Sequence, residues 1–166
     1  MNYAKIREYD VTNGPGVRTT LFVSGCTHDC KGCFNKEQQN FRYGDKWTEA
    51  VEDKFIEGAK NPNIAGVSIL GGEPMQQPYV YMSRLLKKIN ESVNKPIWVW
   101  TGYTFEELLN DKISKNLLKY IDVLIDGKFE LDKRDLSLKY RGSSNQRVIN
   151  VKESLKKNEI ILYNIE

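Results

Sequence analysis

Cys26, Cys30 and Cys33 are the only cysteines of the chain and lie in one short segment with the spacing Cys-x3-Cys-x2-Cys. An odd number cannot pair off internally, and thiols scattered at random through 166 residues rarely fall so close together. The cluster therefore points to a shared ligand, a metal ion or an iron–sulfur group, set against the plain alternative of three inert buried thiols. A structural zinc site takes four protein ligands, commonly two pairs. Here the one available fourth ligand is His28, the sole histidine, and no second pair follows downstream. A [4Fe–4S] cluster is normally held by four cysteines, so three would leave one iron open to another ligand. Both metal readings stay open at this point. His28 likewise has two readings, a ligand or a ring that hydrogen-bonds within its loop and shields the site.

The rest of the composition bounds the class. With 40% hydrophobic, 28% charged and 11% aromatic residues the chain is an ordinary globular sequence, long enough for one domain (1–166) with a core of its own. The balance of 25 Lys and Arg against 22 Asp and Glu is a net charge of +3, and the lysines are scattered rather than gathered in a stripe, so no nucleic-acid partner is expected. No apolar run approaches the ~18 residues of a membrane helix, Ile97-Trp98-Val99-Trp100 being among the longest. Residues 1–10 lack the apolar stretch of a secretory signal. A cytoplasmic protein without a membrane partner is the expectation.

Apolar, β-rich runs alternate with helical patterns. Strands are expected at 19–24, 66–70, 96–101, 121–126 and 146–151, with a sixth at 159–163. Helices are expected at 48–60, 79–94, 104–110, 114–120 and 152–157, with Thr104 and Glu107 spaced as a capping box. Such alternation implies a parallel sheet covered by helices. A complete eight-fold barrel takes roughly 250 residues, so an α/β open partial (β/α) barrel of about six strands fits the length. Ligands of such sheets bind beyond the carboxyl ends of the strands, and the cysteine segment directly follows the first of these strands.

Other strand ends carry suitable chemistry. The second strand runs into Gly71-Gly72-Glu73-Pro74, where two glycines permit close backbone approach and Glu73 offers an acceptor to an ammonium group. An ordinary turn is the competing reading. The next ends are Thr101-Gly102-Tyr103 and Asp126-Gly127-Lys128, and the polar run Arg141-Gly142-Ser143-Ser144-Asn145-Gln146 precedes the last of the five. Taken singly each is a common turn; converging on one rim, they would hold a polar ligand with amine, carboxylate and hydroxyl groups.

Together, Cys26-x3-Cys30-x2-Cys33 and Gly71-Gly72-Glu73-Pro74 resemble the radical S-adenosylmethionine superfamily. Within it the chain is similar to the activating proteins of anaerobic ribonucleoside-triphosphate reductase, a group of glycyl-radical activases. The segments that carry this closer resemblance are Asn13-Gly14-Pro15-Gly16, Phe22-Val23-Ser24-Gly25-Cys26 through His28, Gly32 and Asn35, Trp98-Val99-Trp100-Thr101-Gly102-Tyr103, Asp126-Gly127-Lys128 and the run after Arg141. They occur in order along nearly the whole chain, from about residue 2 to about residue 150. Many superfamily members have an aromatic residue just before the third cysteine; here that position is Gly32, as in the activase group, and Phe34 follows the cysteine. The segment after residue 150 matches none of these motifs.

The resemblance implies that Cys26, Cys30 and Cys33 hold one [4Fe–4S] cluster whose open iron takes the amine and carboxylate of S-adenosylmethionine. It implies an external one-electron donor such as flavodoxin, and a 5′-deoxyadenosyl radical that removes a hydrogen atom from a glycine of the reductase. Gly71, Gly72 and Glu73 would border the methionyl end of the cofactor, and Gly32, Cys33 and Phe34 the adenine end. Thr101, Asp126 and Lys128 are further candidates for contact. A radical enzyme acting on a small molecule shares the first two motifs, and a zinc-stabilised, non-catalytic binding module shares the cysteines.

Overall fold

The computed structural model describes residues 1–165. The strands are β1 (Asn2–Asp10), β2 (Arg18–Val23), β3 (Asp45–Lys46), β4 (Gly66–Gly71), β5 (Ile97–Trp100), β6 (Val123–Asp126) and β7 (Arg147–Asn150). The helices are α1 (Glu49–Ala59), α2 (Tyr79–Lys88), α3 (Phe105–Leu109), α4 (Lys112–Leu118) and α5 (Val151–Lys157). All seven strands form one open sheet in the order β3-β1-β2-β4-β5-β6-β7. The neighbours β2, β4, β5 and β6 pair in parallel, while β1 and β7 run antiparallel on the two flanks. The α/β class and the parallel centre agree with expectation. The sheet is mixed, however, and has seven strands rather than about six.

The differences have local causes. β1 carries Lys5, Arg7 and Glu8 among its apolar residues and hides no clean alternation, because half of it is exposed. It is held by pairing with β2, and Lys5 and Arg7 lie over the Phe22 ring at 4.7 and 5.2 Å. β3 is only two residues long. The sixth expected strand, 159–163, is reduced to a single bridge between Ile149 and Leu162. The expected helix 79–94 divides into α2 and a π-helical turn, Ile89–Val93, which ends at Asn94 in the left-handed region (φ 54°). The helix expected from 114 starts earlier, because Asp111 accepts from the Ser114 amide and caps α4. At α3 the Thr104–Glu107 capping box is present as read.

Alternation along the strands divides the core. Leu21, Val23, Val67, Ile69, Ile97, Val99, Leu124 and Ile149 pack with residues of all five helices in the larger cluster. Trp98, Val123, Ile125 and Val148 form a second cluster with Trp100, Tyr140, Tyr163 and Ile165, to which no helix contributes. Helices thus load one face of the sheet, and the other face keeps room for polar groups. At its lower end lies Arg18, buried and, among the described residues, without a carboxylate in ion-pair contact; its guanidinium donates to Ser68 Oγ (2.8 Å) and to the carbonyls of Pro15, Val67 and Pro96. Burial lowers its pKa to about 10. The opposite, carboxyl-terminal ends of the parallel strands carry the motifs.

Candidate cluster and cofactor site

β2 leads directly into the cysteine loop, and the backbone ties that loop to the end of β4. The amide of Gly25 donates to Gln38 O (2.7 Å) and that of Cys26 to Gln39 O (3.0 Å), closing the loop on its own return. Gly72 N donates to Val23 O and Glu73 N to Gly25 O, both at 2.7 Å, so the two expected motifs are bound to each other. Gly71 makes the turn possible: its φ is +103°, and a Cβ there would stand 2.7 Å from the Val23 carbonyl.

A cavity of about 410 Å³ opens over these strand ends. Cys26, Cys30, Cys33 and Phe34 form one wall, and Gly71, Gly72, Glu73 and Thr101 form another. The three thiols are free and partly exposed. Burial pushes the Cys26 thiol up to about 11, with Glu73 and the other two cysteines adding to the shift, and raises Cys30 in the same direction. Burial thus disfavours the thiolate at Cys26 and Cys30, and binding of a metal is what would favour it, since metal ligation requires the deprotonated sulfur. Among the described residues no three Cys, His, Asp or Glu side chains close around a position for a single ion. Three cysteine sulfurs on one short loop are the donor chemistry of an iron–sulfur cluster, and the residues present fit one.

The remaining expected residues separate into two sets. Phe34 stands at the rim, 60% exposed, its ring 5.0 Å from Phe129 and beneath the Arg134 guanidinium at 5.3 Å. Gly32 lies off the cavity wall; its open Cα side faces Leu131, 2.8 Å from where a Cβ would sit. Asp126 also turns away: its carboxylate accepts from Phe105 N (2.8 Å) and from Arg147. Lys128 is exposed and off the wall, with its carbonyl taken by Asn145. Glu73 is buried, and its two oxygens accept from Met75 N (2.9 Å), Thr101 Oγ1 (2.8 Å), Gly102 N (2.6 Å) and His28 Nε2 (2.7 Å). The carboxylate expected to face a ligand is thus already engaged by four protein donors.

Sequence reasoning gave no individual role to Asn13, Trp100, Tyr140 or Arg141, which also line the cavity. Asn13 is placed by a turn in which Asp10 accepts from Thr12 N, Thr12 Oγ1 and Asn13 Nδ2. Tyr140 takes a left-handed backbone (φ 66°), with its carbonyl held by Trp100 Nε1 at 2.6 Å. Arg141 donates through Nη1 to Gln146 O (2.5 Å), while its buried Nε has no hydrogen-bond partner among the described residues and so suits a polar guest. The available signals were the Asx pattern Asp10-x-Thr12-Asn13 and the concentration of turn residues after Arg141.

Among the described residues no helix is long and apolar enough to cross a membrane. A family model described as a 4Fe-4S single cluster domain matches residues 12–149. The chain is 45% identical over 150 residues to the anaerobic ribonucleoside-triphosphate reductase-activating protein of Pasteurella multocida (strain Pm70), an alignment covering 88% of this chain and 95% of that one. The protein of the same description from Vibrio cholerae is also 45% identical, over 88% and 96% of the two chains. That of Escherichia coli (strain K12) is 43% identical, over 89% and 97%. Sulfur donors, strand-end glycines and near full-length similarity thus agree, and the chain belongs to the family of anaerobic ribonucleoside-triphosphate reductase-activating proteins, with a 4Fe-4S single cluster domain.

Proposed function

We propose that this protein installs a glycyl radical on an anaerobic ribonucleoside-triphosphate reductase, using S-adenosylmethionine cleaved reductively at a [4Fe–4S] cluster. The observation that carries the reading is the placement of three free thiols and the Gly71-Gly72 backbone on adjoining walls of one cavity. The relatives' names supply the acceptor, an anaerobic ribonucleoside-triphosphate reductase. When bound, the cluster and S-adenosylmethionine supply one-electron cleavage of a carbon–sulfur bond and hence a radical able to abstract hydrogen.

The chain's own residues bind and orient. Cys26, Cys30 and Cys33 hold the cluster, and Gly71 and Gly72 present backbone to the methionyl end of the cofactor. Phe34 offers an apolar ring at the rim, where the adenine end is placed in this reading, and Thr101 acts through its hydrogen bond to Glu73. A hydrogen-abstracting radical attacks any nearby C–H bond, so selectivity depends on positioning the reacting groups within about 3–3.5 Å. The open sheet, read as a partial barrel of the radical S-adenosylmethionine type, leaves a side through which a glycine loop of the reductase reaches the cavity. The electron comes from a separate donor such as flavodoxin, and a trio of free thiols suits the reducing cytoplasm.

Anaerobic protein loaded with iron and sulfide, incubated with S-adenosylmethionine, a reductant and the reductase, is expected to yield methionine, 5′-deoxyadenosine and a glycyl EPR signal on the reductase. Absence of cofactor cleavage with an intact, reducible cluster would sink the reading.

A further inference from the structure

Of the four donors to Glu73, three come from its own turn or the end of β5; the fourth, His28, reaches across 45 positions from the cysteine loop. Both partners are withdrawn from solvent, with side chains 7% and 1% exposed. Glu73 Oε1 also accepts the Gly102 amide, so it acts as acceptor and Nε2 carries the hydrogen. The imidazole stands edge-on to Tyr103, 4.6 Å between centroids at 72°. It fills the space beside Gly102 that a side chain would need, because a Cβ there would lie 2.6 Å from His28 Cδ2 and 2.7 Å from Nε2. Next to it, Gln76 pairs with Thr27 through N→Oε1 (2.9 Å) and Nε2→Oγ1 (2.8 Å). Residues 27 and 28 are thus the only link of the Cys26–Cys30 span for which side-chain bonds to the ends of β4 and β5 are seen among the described residues.

We propose that His28 is a positioning residue: its ring clips the first half of the cysteine loop to Glu73 and thereby fixes the spacing between the cluster-holding thiols and the Gly71-Gly72 backbone. The proposal rests on the functional reading above for what fills that space, but the clip itself belongs to the chain without cofactors. Its physical basis is that a buried carboxylate oxygen holds a donor strongly, since losing it leaves an acceptor without water. An error of about 1 Å in such a site costs on the order of 100-fold in rate. Gly102 is part of the device, because only a residue without a Cβ leaves the ring its place.

The test uses His28→Ala, His28→Gln, Gly102→Ala and the double variant of His28→Ala with Gly102→Ala. Amide exchange is measured in the cluster-free protein, and iron content and S-adenosylmethionine affinity in the anaerobically loaded protein. For His28→Ala the expectation is faster exchange at residues 27–29, a full cluster, and affinity lowered about 10-fold. His28→Gln, which keeps an N–H donor for Glu73, restores most of both. Gly102→Ala reproduces the His28→Ala behaviour by expelling the ring, and the double variant loses no more than either single one. Wild-type exchange and affinity in His28→Ala, or no recovery with His28→Gln, would overturn the proposal. Loss of iron in His28→Ala that glutamine does not repair would make His28 a ligand instead and overturn it too. If wild-type protein with a full cluster bound no S-adenosylmethionine, the functional reading would fall, while the exchange data would still decide for or against the clip.

Discussion

Asp126 and Arg147 stand opposite each other in the antiparallel β6–β7 ladder, and the guanidinium grips both carboxylate oxygens, Nε to Oδ1 at 3.1 Å and Nη2 to Oδ2 at 2.5 Å. Arg147 reaches on to Glu106, and these two partners push its pKa further up. Asp126 also receives the Phe105 amide at the start of α3. A carboxylate that the motif pattern offers to a ligand is here an internal brace joining β6, β7 and α3.

Arg147→Met should therefore destabilise the fold by about 3 kcal/mol, since it leaves Asp126 buried without its counter-charge. Adding Asp126→Leu should recover part of that loss. Urea unfolding of the two variants measures both effects, and equal midpoints for Arg147→Met and wild type would show the brace to be idle. Lys128→Ala, at an exposed position, should change stability by less than about 0.5 kcal/mol.

Each of Cys26→Ala, Cys30→Ala and Cys33→Ala should abolish an intact cluster, because two thiolates do not retain a cubane. The thiols are only partly buried, so circular dichroism of the cluster-free variants should match wild type. Iron and sulfide analysis after anaerobic loading checks the first point; full iron content in any one variant contradicts it.

Gly72→Val should cost both cofactor binding and stability. A Cβ at Gly72 would lie 2.6 Å from Gly25 O, 2.8 Å from Gly25 N and 3.0 Å from Gln38 O, all backbone atoms that cannot step aside singly. Even Gly72→Ala should lower stability by about 1–3 kcal/mol and slow cluster loading. Thermal unfolding and calorimetry with S-adenosylmethionine report the two losses separately, and unchanged values in both remove Gly72 from the site.

Asp10 gives the fold an acid limit. Burial opposes its ionisation, but hydrogen bonds from Asn13 and Thr12 outweigh that penalty and hold the carboxyl at about 2. The unfolded chain titrates near the ordinary value of about 3.9, so the folded state gains stability that is complete above that pH and is lost as the pH falls through about 2. The gain is about 2 kcal/mol at neutral pH. Asp10→Asn should remove it, flattening the acid arm of the stability–pH curve and loosening Asn13 at the cavity wall.

Much of this arrangement can be read from the chain. Strands buried on both faces are largely apolar runs, as in Ile97-Trp98-Val99-Trp100 or, broken only by Ser68, Val67-Ser68-Ile69-Leu70, and glycines soon after them announce the turns. The cysteine spacing is local, so it survives as a signal without any knowledge of the fold. What escaped depends on distant partners. β1 is a strand because β2 offers it a ladder, and β7 runs antiparallel because the long connection after Gly127 re-enters the sheet at the end where β6 leaves it. His28 does hydrogen-bond, but not within its own loop: its acceptor, Glu73, lies 45 residues away, and no spacing rule finds it. Glu73 looks like a free acceptor, and Asp126 a candidate for ligand contact, because most of the donors that occupy them come from distant segments.

The alternation of the central strands has a cost in tolerance. Val99 belongs to the helix-packed cluster and Trp100 to the opposite one, one residue apart. A slip of one position in β5 would drive the indole among the helices and turn a valine toward the chamber. Insertions or deletions inside the four central strands should thus be ruinous, and the turns that follow them are no freer, because they are bonded to one another and carry the thiols and glycines of the cavity.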